Sequence, residues 1–229
     1  MSFIKKILRT TTDRHEQPSC KNNSFASLDE EELNAHLGIN RYGDFILSDA
    51  IRPSYDLDVI PKAGFRWDTY DDASTGVRIP VLLASASKEI LFDLFMALIA
   101  PLGDQVDVVL ETSHETHGDS HQDRYRDQID LPILKSTLYE YEDLIVNDGC
   151  AGIAVLNPRI PMEVQLDEHK MLVMYGRDLE RMEAILIDHG LERDDEMKFL
   201  TEAEHVHSST EEFQRRFETL ACLLGLEEH

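Results

Sequence analysis

The spacing of apolar and polar residues along the chain predicts two β-hairpins. In the first, residues 65–70 alternate between apolar and polar side chains, residues 71–76 are typical of a turn, and residues 77–84 form a second strand with a buried end. In the second, residues 163–166 and 170–175 flank the turn Asp167-Glu168-His169. Each pattern predicts two antiparallel strands that pair with each other.

Apolar residues spaced three and four apart predict helices. A capping-box pattern at Ser27-Leu28-Asp29-Glu30 begins a short helix that ends at Gly38. A second such pattern, Ser209-Thr210-Glu211-Glu212, begins the last helix of the chain. Further helices are predicted at residues 85–100, 130–147 and 178–190.

The remaining apolar runs predict three more strands, at residues 106–112, 150–156 and 197–203. The first is nearly continuous in Val and Leu, which is typical of an interior strand buried on both faces. We therefore predict an α/β fold of the mixed α+β kind: a mixed sheet of about six to seven strands, with βαβ units and two hairpins, flanked by about four helices. One βαβ unit would join the strands at 77–84 and 106–112 by a right-handed crossover.

The polar start of the chain predicts a division into an arm and a domain. Residues 1–27 contain little that could be buried and predict a flexible N-terminal arm. Residues 28–229 predict a single mixed α/β domain. A loose repetition of hairpin, helix, strand and helix leaves open two half-domains, residues 64–148 and 149–229, that share one sheet.

The chain is strongly acidic, and this charge excludes several classes of partner. It has 229 residues, with 22 Lys and Arg against 45 Asp and Glu and a formal net charge of −23. Such a surface repels nucleic-acid backbones and anionic membranes, so we expect neither as a partner. A protein partner or self-association stays open. No apolar run is long enough to span a membrane, and the start lacks a secretory signal pattern.

The three cysteines are far apart and form no CxxC motif. This usage predicts no disulfide framework and favours a reducing, cytoplasmic environment. Cys150 and Cys222 lie in apolar runs and are predicted to be buried core residues.

An unusual segment follows the strand at 106–112 and holds three of the ten histidines within eight residues. The residues concerned are His114, His117, Asp119, His121 and Asp123. Imidazole and carboxylate groups together are ordinary ligands for a divalent transition metal such as zinc or manganese. Residues 113–129 therefore predict a metal site, a solvated polar loop without a ligand, or a contact with a partner.

Two further groups of residues are candidates for binding. Glu202, Glu204, His205 and His207 follow the predicted strand at 197–203 and would approach the histidine segment if that strand ran parallel to 106–112. Ser85, Ser87 and Lys88 begin a helix, where exposed N–H groups can bind an anion, although the pattern favours a serine cap without a ligand. His36, His169 and His189 are interpreted as surface or helix-end residues.

Two functions from different classes follow from these patterns. The absence of a specific catalytic signature favours a non-catalytic binding or interaction module. The alternative is a metal-dependent hydrolase that uses the His/Asp cluster at residues 114–123, with Glu111 or Glu204 as the general base.

Overall fold

The computed structural model describes residues 24–72, 76–114 and 122–228. Helices and strands both contribute substantially, so the predicted mixed α+β class is confirmed. The helices are α1 (Glu30–Leu37), α2 (Lys88–Ile99), α3 (Leu131–Glu140), α4 (Glu142–Asn147), α5 (Glu180–Asp188) and α6 (Glu211–Leu224).

The strands form one large sheet and two small ones. They are β1 (Arg41–Tyr42), β2 (Phe45–Ile46), β3 (Ile51–Pro53), β4 (Gly64–Asp72), β5 (Val77–Ser85), β6 (Gln105–Thr112), β7 (Gln122–Asp130), β8 (Ala151–Asn157), β9 (Met162–Leu166), β10 (Leu172–Gly176), β11 (His205–His207) and β12 (Glu227–Glu228). In the described part of the chain the large sheet has the order β12-β7-β6-β8-β9-β10-β5-β4, and β1 pairs with β2 and β3 with β11.

Both predicted hairpins form, and the predicted interior strand lies inside the sheet. β4 pairs with β5 from Gly64 to Asp72, and β9 pairs with β10 across the turn that contains His169. β6 has β7 on one side and β8 on the other. Alternation and apolar content therefore located these strands correctly.

The predicted βαβ unit takes a different form, because the pairings between neighbouring strands of the large sheet are antiparallel. β5 and β6 point the same way, but β8, β9 and β10 lie between them. The connection through α2 therefore crosses three strands instead of joining parallel neighbours. Local periodicity identifies which residues form a strand, whereas the pairing partner depends on contacts between distant segments.

The main core lies between one face of the sheet and the helices α2 to α6. Alternate residues of the inner strands, such as Val106, Val108 and Leu110 of β6, are buried there against the helices. α2 contributes the most, because its Leu and Phe residues are covered on several sides. The opposite face carries smaller apolar clusters and the buried carboxyl groups of Asp107 and Glu163.

Three predicted elements differ from the structure. Residues 122–130 form strand β7 instead of a loop, and residues 115–121 lie outside the described residues. The predicted helix at 130–147 is broken at Tyr141, which has φ −116° and ψ 15°. The predicted strand at 197–203 is replaced by a 3₁₀ turn at Leu200–Glu202, and the true strand, β11, follows it.

The end of the predicted arm contacts the domain. The Ser24 amide donates a hydrogen bond of 3.0 Å to the Glu204 carboxylate, and the Ser24 hydroxyl accepts one of 3.0 Å from the Tyr55 amide. The rest of that prediction, residues 1–23, lies outside the described residues.

The prediction of two buried cysteines is wrong, because Cys222 is exposed and Cys150 is only half-buried. Among the described residues, no helix combines the length and apolar character that crossing a lipid bilayer requires.

Candidate metal centre

Three histidines from two distant segments lie with their imidazole rings together. His169 lies in the β9–β10 turn, and His205 and His207 lie on β11. The ring centroids are 4.9 Å apart for His169 and His205, 4.7 Å for His169 and His207, and 5.0 Å for His205 and His207. One ligand nitrogen from each ring lies within 4.8 Å of the other two. We call these three residues the triple-His cluster.

Each Nδ1 atom of the triple-His cluster faces an oxygen acceptor. Nδ1 of His205 lies 2.8 Å from the Ala203 carbonyl oxygen, and Nδ1 of His207 lies 2.6 Å from that of Gly149. Nδ1 of His169 lies 3.1 Å from the carboxylate of Asp167. Carbonyl and carboxylate oxygens only accept, so the proton of each neutral ring sits on Nδ1 and the lone pair on Nε2. This is the tautomer that metal-binding histidines commonly adopt, with an outer oxygen fixing the ring orientation.

The pairing of β3 with β11 positions two of the rings. In this antiparallel pair His205 lies opposite Pro53 and His207 lies opposite Ile51. His205 and His207 are two residues apart on one strand, so their side chains project from the same face. β11 is held at its end by Ser208, whose amide donates to Ala50 and whose carbonyl accepts from the Gly149 amide, both at 2.8 Å.

The β9–β10 turn positions the third ring. Asp167 closes the turn, because its carboxylate accepts from the Met171 amide at 2.8 Å and its carbonyl accepts from the Lys170 amide at 3.0 Å. Lys170 has φ 60°, a left-handed conformation uncommon for a side chain other than Gly or Asn. Its buried ammonium group donates to the Ala151 carbonyl at 2.7 Å, which ties the turn to β8.

The electrostatic environment differs among the three rings. Burial and the charge of His169 lower the pKa of His205, and the same two causes lower the pKa of His207 to about 4. Burial alone would also lower the pKa of His169, but the Asp167 carboxylate more than offsets it, so that pKa is raised. At neutral pH His205 and His207 are therefore neutral and ready to ligate, and His169 is the ring at which protons compete most strongly with an ion.

Carboxyl groups surround the triple-His cluster. The negative charge of Glu168 acts on all three rings, and its carboxylate accepts a hydrogen bond of 3.0 Å from the Ser113 hydroxyl. Beneath the turn, Glu111 faces Gly152. Burial, together with the charges of neighbouring acids, raises the pKa of Glu111 to about 8. The charge of Glu168 would attract a cation to the cluster, whereas Glu111 keeps its proton at neutral pH.

A second group of metal-ligating side chains lies nearby and consists of His114, Asp148 and Cys150, here called the His114 group. One ligand atom from each lies within 4.8 Å of the others. His114 Nε2 lies 2.9 Å from Asp148 Oδ2 and 3.1 Å from the Ser209 hydroxyl. Burial would raise the pKa of Asp148, but the nearby polar groups of His114 and Ser209, together with the Cys150 amide, more than offset it and lower that pKa.

The predicted metal ligands at 114–123 are only partly described, and the two that are described do not meet. His117, Asp119 and His121 lie outside the described residues. His114 packs edge-on against Phe217 of α6, with 5.7 Å between ring centroids. Asp123 is the cross-strand partner of Glu111, on the face of the sheet away from the helices. There it accepts a hydrogen bond of 2.6 Å from the Tyr125 hydroxyl.

The predicted cluster at 202–207 is divided by the structure. His205 and His207 belong to the triple-His cluster, whereas Glu202 forms an ion pair of 2.8 Å with Arg66 and Glu204 binds the Ser24 amide. The expected approach to the histidine segment assumed a strand running parallel to β6, whereas β11 pairs with β3 and brings His207 to the Gly149 carbonyl, beside the His114 group.

The predicted anion site has its polar groups engaged within the chain. The Ser87 hydroxyl accepts from the Ile46 amide at 3.0 Å, and the Lys88 ammonium pairs with Asp49 at 2.7 Å. Ser85 lines the cleft described below. An anion at this helix start would compete with Asp49, so the site stays a prediction.

His169 is the candidate ligand that the sequence analysis missed, because a histidine in a hairpin turn is typical of the surface. Its side chain is only 14% exposed. His36, also interpreted as a surface or helix-end residue, lies at the end of α1 but is buried against the Pro53 carbonyl. The sequence signal for the triple-His cluster was the His205-Val206-His207 alternation, which presents two imidazoles on one face of a strand.

An open cleft reaches the triple-His cluster at His169. Most of its lining is apolar, including Phe45, Met171 and Phe199. Lys62 and Lys198 add positive charge to this lining. A molecule that reaches His169 through this cleft would therefore contact both apolar surface and positive charge.

Comparison with known proteins assigns the chain to no family. No family model matches it, and neither a curated protein nor a solved structure matches it. Its function therefore has to be inferred from the geometry of these side chains.

Proposed function

We propose that this protein binds a divalent transition-metal ion such as zinc through His169, His205 and His207. The observation that carries the proposal is the convergence of three imidazoles whose Nδ1 atoms all face oxygen acceptors. Because each Nδ1 faces an acceptor, Nε2 is the atom of each ring that would bind the ion. Three protein ligands leave a further tetrahedral position for water or a substrate, which is the pattern of catalytic zinc sites.

The ligand chemistry favours zinc over manganese. Three imidazole nitrogens suit zinc, copper, nickel or iron, whereas manganese prefers carboxylate and water oxygens. The nearest carboxylates lie outside this set of nitrogen ligands: Asp167 orients His169, and Glu168 accepts from Ser113. Zinc is therefore expected to bind in preference to manganese when both ions are offered at equal concentration near neutral pH.

A metal-dependent hydrolase is the catalytic form of this proposal, and the cleft beside His169 favours it. A bound ion of this type lowers the pKa of its water and so supplies a hydroxide nucleophile near neutral pH. Glu168 is the best placed general base, because its charge acts on all three rings. Glu111 keeps its proton at neutral pH, and Glu204 is bound to Ser24, so both are weaker candidates.

A non-catalytic role is the alternative, in which the ion rigidifies a binding module. In that case the ion would join β11 to the β9–β10 turn and stabilise the cleft for a ligand or a protein partner. Activated ester and phosphodiester substrates separate the two roles. Metal-dependent turnover lost in Glu168→Gln, with metal retained, supports the hydrolase, whereas metal binding without turnover supports the module.

Metal analysis of the full chain tests the proposal. The protein is stripped with chelator, dialysed against zinc and measured by elemental analysis. The wild type is expected to retain zinc, and His205→Ala and His169→Ala are each expected to lose about one equivalent. His189→Ala is the matched control, because His189 lies at the exposed end of α5 and bonds only to the Ile185 carbonyl in the described structure.

Circular dichroism shows whether each variant remains folded, so a loss of metal is not mistaken for unfolding. The proposal is overturned if folded His205→Ala and His169→Ala retain as much zinc as His189→Ala. It is equally overturned if zinc neither binds the stripped wild type nor raises its melting temperature.

A further inference from the structure

The His114 group has the composition and burial of a second site for a cation. Its side chains offer one nitrogen, one oxygen and one sulfur ligand, all within 4.8 Å of one another. The side chain of His114 is 5% exposed and that of Asp148 is fully buried. Imidazole, carboxylate and thiolate are the three ligand types that zinc takes in proteins.

The buried carboxylate supplies an independent reason to expect an ion. Oδ1 of Asp148 accepts a hydrogen bond of 3.0 Å from the Cys150 amide, but Oδ2 has no hydrogen-bond partner among the described residues. Oδ2 lies 2.9 Å from His114 Nε2, so both atoms face the same small space. A buried carboxylate oxygen without a hydrogen bond is costly, and a cation between these atoms would remove that cost.

The orientation of His114 distinguishes a metal site from a cysteine nucleophile. In a Cys-His-Asp catalytic arrangement the acid and the thiol contact opposite nitrogens of the ring. Here the Thr112 hydroxyl lies 2.6 Å from Nδ1, and Asp148 lies at Nε2, the remaining nitrogen. The threonine holds the ring in place from outside, as second-sphere groups do for metal-binding histidines.

We propose that His114, Asp148 and Cys150 form a second metal site, with a zinc-class ion as its occupant. Binding replaces the Cys150 S–H bond by a sulfur–metal bond and releases one proton to solvent. The ligand set shares no residue with the triple-His cluster, so either site can bind without the other.

The second site lies beside the first. Asp148 and Cys150 flank Gly149, whose carbonyl accepts from His207 of the triple-His cluster. Ser113, next to His114, donates to Glu168, next to His169. Ions at the two sites would therefore share the charge of Glu168, and loading one site is expected to alter the affinity of the other.

Cobalt(II) absorption spectroscopy tests this proposal, because only the second site contains a sulfur ligand. The experiment uses the reduced full chain carrying Cys20→Ser and Cys222→Ser, so that Cys150 is the single thiol. Titration with cobalt is expected to produce a near-ultraviolet thiolate-to-cobalt band and to saturate at about two equivalents. Adding Cys150→Ser is expected to remove the band and about one equivalent, while the far-ultraviolet circular dichroism stays unchanged.

The His205→Ala variant in the same background separates this proposal from the first. It is expected to keep the thiolate band and to lose about one equivalent of cobalt. A parent protein without a thiolate band, or a folded Cys150→Ser variant with unchanged stoichiometry, overturns the second site whatever the triple-His cluster does. His114→Gln gives a third measurement, since a band of undiminished affinity in that variant would also contradict the assignment.

Discussion

Glu163 is a buried acid on the face of the sheet away from the helices. Its side chain is 1% exposed, its Oε1 accepts a hydrogen bond of 2.6 Å from Gln165, and its Oε2 has no hydrogen-bond partner among the described residues. Burial raises its pKa from 4.5 to about 8, with the charge of Glu111 adding to the effect and the Gln165 bond opposing it. Glu163 is therefore protonated in the folded protein at neutral pH.

The sign of the resulting pH dependence follows from proton binding. Between pH 4.5 and about 8 the folded state holds a proton on Glu163 that the unfolded state has released. Stability therefore falls as pH rises through this window, by up to about 1.4 kcal/mol per pH unit for this group, and the loss is complete above it. We expect Glu163→Gln to remove this contribution. The free energy of unfolding of the variant relative to the wild type should therefore rise by a few kcal/mol from pH 5 to pH 8.

Urea denaturation at several pH values measures this difference. Glu192→Gln, at an exposed position, serves as the control and is expected to follow the wild type. If the difference in free energy of unfolding between Glu163→Gln and the wild type is constant across the whole pH range, Glu163 has the same pKa in the folded and unfolded states and the prediction is wrong.

At the scale of elements, the strands that form the hairpins were predictable and the strand that builds the site was not. Both hairpins are local: their alternation and turn residues lie within one stretch of sequence. β11 is three residues long and pairs with β3, about 150 residues earlier in the chain. No local pattern encodes that register, so the meeting of His169 with His205 and His207 could not be read from the sequence.

β7 shows a second reason why prediction failed. Within β7 only Tyr125, Ile129 and their immediate surroundings are covered, and charged residues occupy much of the rest. These charges find partners on α6: Arg124 forms a bidentate ion pair with Glu218, and Arg126 donates to the Leu224 carbonyl. Because the compensating groups lie on a distant helix, the strand has the composition of a solvated loop when only its sequence is considered.

Gly149 provides a test at the junction of these elements. A Cβ atom at this position would lie 2.8 Å from the Ser208 carbonyl oxygen and closer still to that of Ala50, and both are backbone atoms. Gly149→Ala must therefore displace β3 or β11, with a destabilisation of about 1–3 kcal/mol. Because His207 bonds to the Gly149 carbonyl, we also expect weaker zinc binding at the triple-His cluster.

Gly38→Ala is the matched control for this junction. Gly38 caps α1 with φ −74°, and a Cβ atom there would meet its neighbours at 3.4 Å, an ordinary contact. Thermal melting and zinc titration of both variants give the comparison. Equal zinc affinity in Gly149→Ala and Gly38→Ala would show that the junction does not position the ligands.

At the scale of the whole molecule, a net charge of −23 gives cations two separate ways to stabilise the fold. Any salt screens the repulsion among surface carboxylates, an effect that depends on ionic strength and not on the identity of the ion. A specific ion instead stabilises the folded state by mass action, because the unfolded chain does not hold its ligands together. The two effects are separable, since the first needs no particular side chain.

We therefore expect sodium chloride to raise the melting temperatures of the wild type, His205→Ala and Cys150→Ser by similar amounts. Zinc at about one hundred times its dissociation constant adds about 2.7 kcal/mol per site, or a shift of about 5–10 °C for a chain of this length. At fixed salt, the rise in melting temperature caused by zinc should be largest in the wild type and smaller in His205→Ala and in Cys150→Ser. The double variant that carries both substitutions should respond to zinc no more than to magnesium. Differential scanning calorimetry in matched ionic strength gives these shifts. A zinc response that survives intact in the double variant would assign the whole effect to the acidic surface and remove both metal sites together.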